Sequence, residues 1–217
     1  MTRHETHLLR LLGLASCIAL CFVAVDMAIN RSLEFWYLPW NLFLAWVPVI
    51  FSCLFVVKKR WPIYAKVLLF ACWLIFLPNT FYVITDIIHI NDQVRRSQTL
   101  DTIVLAMTIF PAFMLGLLSL WQIDQRLFSR FATWLRLSAL IGTAVLCGFA
   151  IFIGRELRWN SWDVLVHPFA LIRDIVLIIL LPDSFMHLAI VTLAFALCIL
   201  GSYWLFHSHF LDRHARR

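Results

Sequence analysis

The 217-residue chain is 63% hydrophobic and only 14% charged, with a formal net charge of +6 and a mean hydropathy of +0.88. A soluble domain is about half apolar and a quarter charged, so a water-soluble fold is excluded. With it goes a soluble basic stripe for nucleic acid, and no nucleic-acid partner is expected. The apolar runs are of the roughly 20 residues a helix needs to cross a bilayer core and lack the alternating pattern of a membrane barrel. The fold class they predict is all-α, a polytopic transmembrane helical bundle.

In chain order, lysine and arginine breaks, turn residues and flanking aromatics place six spans near 8–29, 38–57, 66–90, 100–122, 134–154 and 183–206. The first run, Leu8–Ile29, is longer than a signal-peptide core and has no convincing small-residue cleavage site, so it is read as a retained span. The stretch 168–181 carries Arg173 and Asp174 near its start and ends before Pro182. It is too short to cross and is read as an interfacial or re-entrant helix. With no internal repeat and no Gly/Ser linker, residues 1–217 are expected to form a single integral membrane domain. All six cysteines, Cys17, Cys21, Cys53, Cys72, Cys147 and Cys198, fall within apolar runs and are read as small packing residues.

Six crossings put both termini on one side, and the basic residues choose which. The termini and the loops after the second and fourth spans hold Arg3, Arg10, Lys58, Lys59, Arg60, Lys66, Arg126, Arg130, Arg136, Arg213, Arg216 and Arg217. The other side holds Arg31, Arg95, Arg96, Arg155, Arg158 and Arg173. Twelve against six places both termini in the cytoplasm.

The unusual polar residues then collect at the extracytoplasmic ends: Asp26 and Asn30 closing span one, Trp40 and Asn41 opening span two, Asn79 to His89 closing span three, and Asp101 opening span four. The string GRELRWNSWD, Gly154 to Asp163, follows span five. In FLPNTFYVITDIIH, Asn79, Tyr82, Asp86 and His89 are spaced to stack along one face of an α-helix. Pro78 cannot donate to the carbonyl of Leu74, so a kink or a freed carbonyl is expected beside Asn79.

Several readings of these groups stay open. Asp86 and His89, joined by Asp101 and Asp163, are candidates for an acid and base or for a metal site, although one histidine with scattered aspartates is weak beside a two-histidine helical motif. The structural alternative pairs Asp86 with Arg155 or Arg158 across helix ends. Arg155 and Arg158 can also present two guanidiniums to one phosphate or carboxylate, or snorkel and stack on Trp159 or Trp162. Asn160 and Asp163 fit a turn or cap before Pro168. His167 and His187 read as interfacial, and Asp124 with Arg126 as an ion pair near the cytoplasmic side. No cofactor is expected; a divalent ion is the alternative.

NLFLAWVP, FLPNTFYVITDIIH, Asp101, GLLSL at Gly116–Leu120 and GRELRWNSWD together resemble the bacterial multi-pass membrane family catalogued as domain of unknown function 1361. The resemblance runs from about Asn41 to Pro168. It implies a bacterial cytoplasmic membrane location and marks Asn41, Pro78, Asn79, Tyr82, Asp86, His89, Asp101, Arg155, Arg158, Trp159, Asn160, Trp162 and Asp163 as signature positions. The family supplies no established activity.

The polar residues fit three functions. A site at headgroup depth, open to one leaflet, would bind or process a lipid or lipid-linked envelope amphiphile, with Arg155 and Arg158 on its anionic head and Asp86 and His89 as acid and base. A small-solute transporter would want polar groups near the midplane and broken helices, for which Pro78 and Asn79 are the sole hint. A non-enzymatic scaffold or accessory subunit would use the same groups as a structural ion-pair network. Membrane lipids are the expected partners, and nothing in the sequence selects an oligomeric state.

Overall fold

The computed structural model describes residues 2–57, 61–91 and 98–215. Lys58, Lys59, Arg60, Arg95, Arg96, Arg216 and Arg217 lie outside the described residues, as do the side chains of His89 and Arg213. No strand occurs among the described residues. Six helical segments are long and apolar enough to cross a membrane: Arg3–Asn30, Glu34–Phe55, Ile63–Ile88, Thr99–Arg130, Thr133–Glu156 and Pro182–Ser208. They coincide with the six spans read from the sequence. The chain groups into two compact units, Met1–Gln122 and Ile123–Arg217.

In the first unit, helix α1 (Arg3–Asn30) starts at Thr2, whose hydroxyl accepts from the Glu5 N–H at 3.2 Å. After Glu5, its buried positions are Leu12, Ser16, Ala19, Val23 and Asp26, which recur every three or four residues and form one stripe. Leu11, Leu14, Ile18, Phe22 and Ile29 are exposed, as suits a helix whose outer solvent is hydrocarbon. Helix α2 (Tyr37–Val57) follows a 3-10 turn at Glu34–Trp36. Trp46 of α2 donates its indole N–H to Ser16 of α1 at 3.2 Å. Val23, Phe35, Leu38, Val104 and Leu105 form a buried cluster, joined by partly buried Met27, Tyr37 and Leu100. This packs the end of α1 and the starts of α2 and α5 (Gln98–Arg126) together.

The third span is not one helix. Helix α3 (Ile63–Phe76) stops at Leu77, α4 (Pro78–Tyr82) follows, and Val83–Asn91 is a 3-10 helix. Pro78 has no N–H for the carbonyl of Leu74, which is where the sequence placed the break. Side chains serve the next carbonyls along the break: Asn79 Nδ2 donates to the Phe76 carbonyl at 3.1 Å and Thr80 Oγ1 to that of Leu77 at 2.8 Å. Helix α5 fits tightly against the break. A Cβ on Gly116 would run into Thr80 Oγ1 and the Phe81 ring, and Ser119 accepts from the Trp73 indole at 3.3 Å. The GLLSL string is therefore a packing motif, its glycine there because the backbones approach too closely for a side chain.

The second unit is built on α6 (Thr133–Glu156) and α9 (Pro182–Ala215). Ala144, Cys147, Gly148 and Ile151 are buried along α6, and Leu188, Thr192, Ala196, Ile199 and Tyr203 along α9. A Cβ on Gly148 would meet the Thr192 carbonyl, so small residues bring the two backbones into contact, as at other membrane helix pairs. Between them come α7 (Asp163–Val166) and α8 (Pro168–Leu180). At 13 residues, α8 is about 20 Å long, short of a bilayer core. The cysteine reading needs correction: Cys147 alone is buried, while Cys17, Cys21 and Cys198 are exposed. A thiol against hydrocarbon leaves no strong donor unsatisfied, so it need not be packed away.

Candidate functional site

The polar end of the first unit is built from four helix ends. Asp26, 2% exposed, accepts from Asn30 Nδ2 at 3.0 Å, one turn on along α1. Asn41, in the first turns of α2, donates from Nδ2 to Asp86 Oδ2 at 2.9 Å. Asp86 and Asp101 are each 3% exposed. Three carboxylates are thus withdrawn from solvent around one end of the unit, where an ionised group persists only if it is hydrogen-bonded or paired.

The α-helical pitch on which the stripe of Asn79, Tyr82, Asp86 and His89 is spaced ends at Tyr82. An α-helix turns about 100° per residue, but Val83–Asn91 turns as a 3-10 helix, about 120° per residue. Residues three apart then align, so buried Val83 and Asp86 share a face while Ile87 and Ile88 are exposed. Asn79 is turned back to the Phe76 carbonyl, and Tyr82 is half-buried. The expectation for the His89 side chain falls outside the described residues. Among the described residues no group of three or more His, Cys, Asp or Glu is arranged to hold a metal ion.

The GRELRWNSWD string closes on itself in the second unit. Helix α6 ends with the Leu157 N–H on the Ile153 carbonyl at 3.1 Å, and the Trp159 N–H reaches the same oxygen at 3.5 Å. Between them Arg158 takes φ 58°, the left-handed conformation usually given to glycine after a helix. Arg31, capping α1, is the other non-glycine residue with positive φ among the described residues. Asp163 Oδ2 accepts from the Asn160 N–H at 2.7 Å and its amide at 3.3 Å, while the Asp163 N–H returns to the Asn160 carbonyl at 3.0 Å. This is the turn expected of Asn160 and Asp163. Trp159 donates its indole N–H to Asp174 of α8 at 3.2 Å, and Asp174 also holds Arg173 at 3.0 Å. Trp162 is exposed and Arg155 half-buried. The expected pairing of Asp86 with Arg155 or Arg158 joins residues of different units, and neither unit's own contacts bear on it.

For two groups named in the sequence, the partners escaped the sequence reading. His187 lies 3.8 Å from Glu156 and edge-on to Phe152, with centroids 5.6 Å apart. More fully built is the centre around Asp124, which accepts from Arg136 Nε at 2.7 Å and Nη2 at 2.6 Å and from the Tyr203 hydroxyl at 2.5 Å. The expected partner was Arg126, but residues two apart on a helix face away from each other. The one signal available was the four-residue spacing of Tyr203 and His207 on the last span.

NLFLAWVP supplies Asn41 to Asp86 and Trp46 to Ser16, FLPNTFYVITDIIH the broken span, GLLSL its packing partner, and GRELRWNSWD a self-capped helix end. Neither the curated proteins nor the solved structures include a match to this chain. The family model described as Protein of unknown function (DUF1361) matches residues 40–200, reaching past the motifs into α9, and the chain belongs to that family.

Proposed function

We propose that the protein is a single cooperative membrane domain that binds or processes the polar head of an amphiphile, a lipid or lipid-linked envelope precursor. The site faces the extracytoplasmic leaflet of a bacterial cytoplasmic membrane, with both termini in the cytoplasm. The observation that carries this reading is Asp86, a carboxylate 3% exposed within a span-length apolar segment, presented on a 3-10 helix and held by Asn41 at 2.9 Å. Ionisable groups at such positions are costly, and functional sites are where they concentrate. Asp86 and His89 are the acid and base, and Asn41, Asn79, Tyr82 and Asp101 the polar contacts for hydroxyl or amine groups of the head. In the second unit, Arg155 and Arg158 offer guanidiniums to phosphate or carboxylate. There Trp159, Asn160, Trp162 and Asp163 shape the turn that carries them.

The test is the lipid that accompanies the purified protein. Mass spectrometry of lipids extracted from detergent-purified wild type and Asp86→Asn should reveal a species retained by the first and depleted at least tenfold in the second, at similar melting temperatures. Equal retention by both proteins sinks the reading. Metal content measured on the same wild-type sample decides whether a divalent ion accompanies the site.

A transporter is the second reading, favoured by the interruption of span three at Leu77–Pro78. A cysteine at Thr80 that is labelled from both sides of sealed vesicles would support it. Labelling from neither side would count against it.

A further inference from the structure

Asp124 of α5, fully buried, lies at the end of the second unit opposite the α6–α7 turn. Besides Arg136 and Tyr203 it faces Gln125, whose Nε2 is 3.4 Å from Asp124 Oδ2. Two of these neighbours meet a second acceptor. Arg136 Nη2 stands 3.1 Å from Nε2 of His207, and Gln125 Nε2 stands 3.3 Å from the same atom. A guanidinium has only donors. The Gln125 amide presents nitrogen here because its other neighbour, the Asp124 carboxylate, only accepts. Both neighbours of His207 Nε2 are therefore donors, and Nε2 must be the acceptor. In this arrangement His207 is neutral, with its proton on Nδ1.

We infer that His207 is the proton-sensitive member of a latch that ties the C-terminal part of α9 to the end of α5 and the start of α6, closed while the imidazole is neutral and open once Nε2 takes a proton. A proton on that nitrogen removes the acceptor used by two donors and sets imidazolium against guanidinium. The groups facing His207 are Arg136 from α6, Asp124 and Gln125 from α5, and Tyr203 on its own helix, with ring centroids 5.8 Å apart. Asp124 is no ready refuge for the new charge. It already takes four donors, with Arg136 Nη2, Tyr203 and Gln125 crowding Oδ2 and Arg136 Nε on Oδ1, and Arg136 already balances its charge. An imidazolium turning to Asp124 would have to compete with that guanidinium. Closing the latch needs no ligand, so the inference is independent of the function proposed above.

Thermal unfolding of the full chain in detergent, followed from about pH 8 to about pH 5, tests it with His207→Gln and His207→Lys. The neutral form belongs to the closed latch, so wild-type stability falls as the medium is acidified. Its midpoint should drop about 2–4 °C further than that of His207→Gln, because glutamine keeps an acceptor oxygen and takes up no proton. His207→Lys, with a fixed charge, should already be destabilised at the alkaline end. Equal acid shifts in wild type and His207→Gln overturn the latch, and so does a His207→Lys protein as stable as wild type. Should either variant fail to fold, imidazole nitrogen chemical shifts of labelled wild type decide: a resonance pattern without any Nδ1–H histidine accepting at Nε2 at the alkaline end also overturns it.

Discussion

Asn41 and Asp86, 45 positions apart, meet through one hydrogen bond of 2.9 Å that joins the start of α2 to the 3-10 end of span three. The bond is directional: an amide N–H can only donate and an ionised carboxylate only accept, so the pair fixes both the rotation of α2 and the register of the 3-10 segment. Asn41→Ala removes the donor and leaves a buried carboxylate short of a partner, at a cost of about 1.5–3 kcal/mol. Asp86→Asn should cost less, and the double variant clearly less than the two singles added together. Unfolding in mixed micelles measures all three, and additive costs would mean the bond contributes nothing to stability.

Gly116 gives a sharper steric prediction. A methyl at this position meets Thr80 Oγ1 and the Phe81 ring, whereas one at Gly13 meets nothing within 4 Å. Gly116→Ala should therefore destabilise by about 1–3 kcal/mol through overpacking. Gly13→Ala should be neutral or slightly stabilising, because alanine is the better helix former by about 1 kcal/mol. Melting temperatures that fall equally for both would remove Gly116 as a close-approach site.

Arg158 separates backbone from charge. Its φ of 58° suits glycine, so Arg158→Gly should stabilise the end of α6 by up to about 1 kcal/mol while Arg158→Ala should not. If the guanidinium binds an anionic head, both variants lose the retained lipid to the same degree. Glycine and alanine variants of equal stability would show that the left-handed cap is not strained.

Topology is checked by chemistry at two serines. In a variant lacking the six native cysteines, Ser161→Cys should react with a membrane-impermeant maleimide in intact cells and Ser129→Cys should not. Labelling at position 129 alone inverts the orientation. Gln93, expected on the same side as Ser161, lies outside the described residues.

The six spans, the short helix after Pro168, the break beside Pro78 and the turn from Asn160 to Asp163 were all legible in the sequence. Each depends on neighbours along the chain: hydrophobicity summed over about 20 residues, a missing proline N–H, a side chain reaching three positions back. Partners were another matter. Asp124 takes Arg136 and Tyr203, 12 and 79 positions away, where adjacency in sequence suggested Arg126. Tyr82 and Asp86, four apart, lose the shared face that an α-helix would give them because Val83–Asn91 is overwound, and no periodicity of an ideal α-helix anticipates that change of pitch. Apolar burial against lipid is additive and nearly indifferent to which helix lies next door, so composition alone determines it. A hydrogen bond demands a specific donor within about 3 Å at the right angle, and only the folded arrangement of helices decides which donor that is.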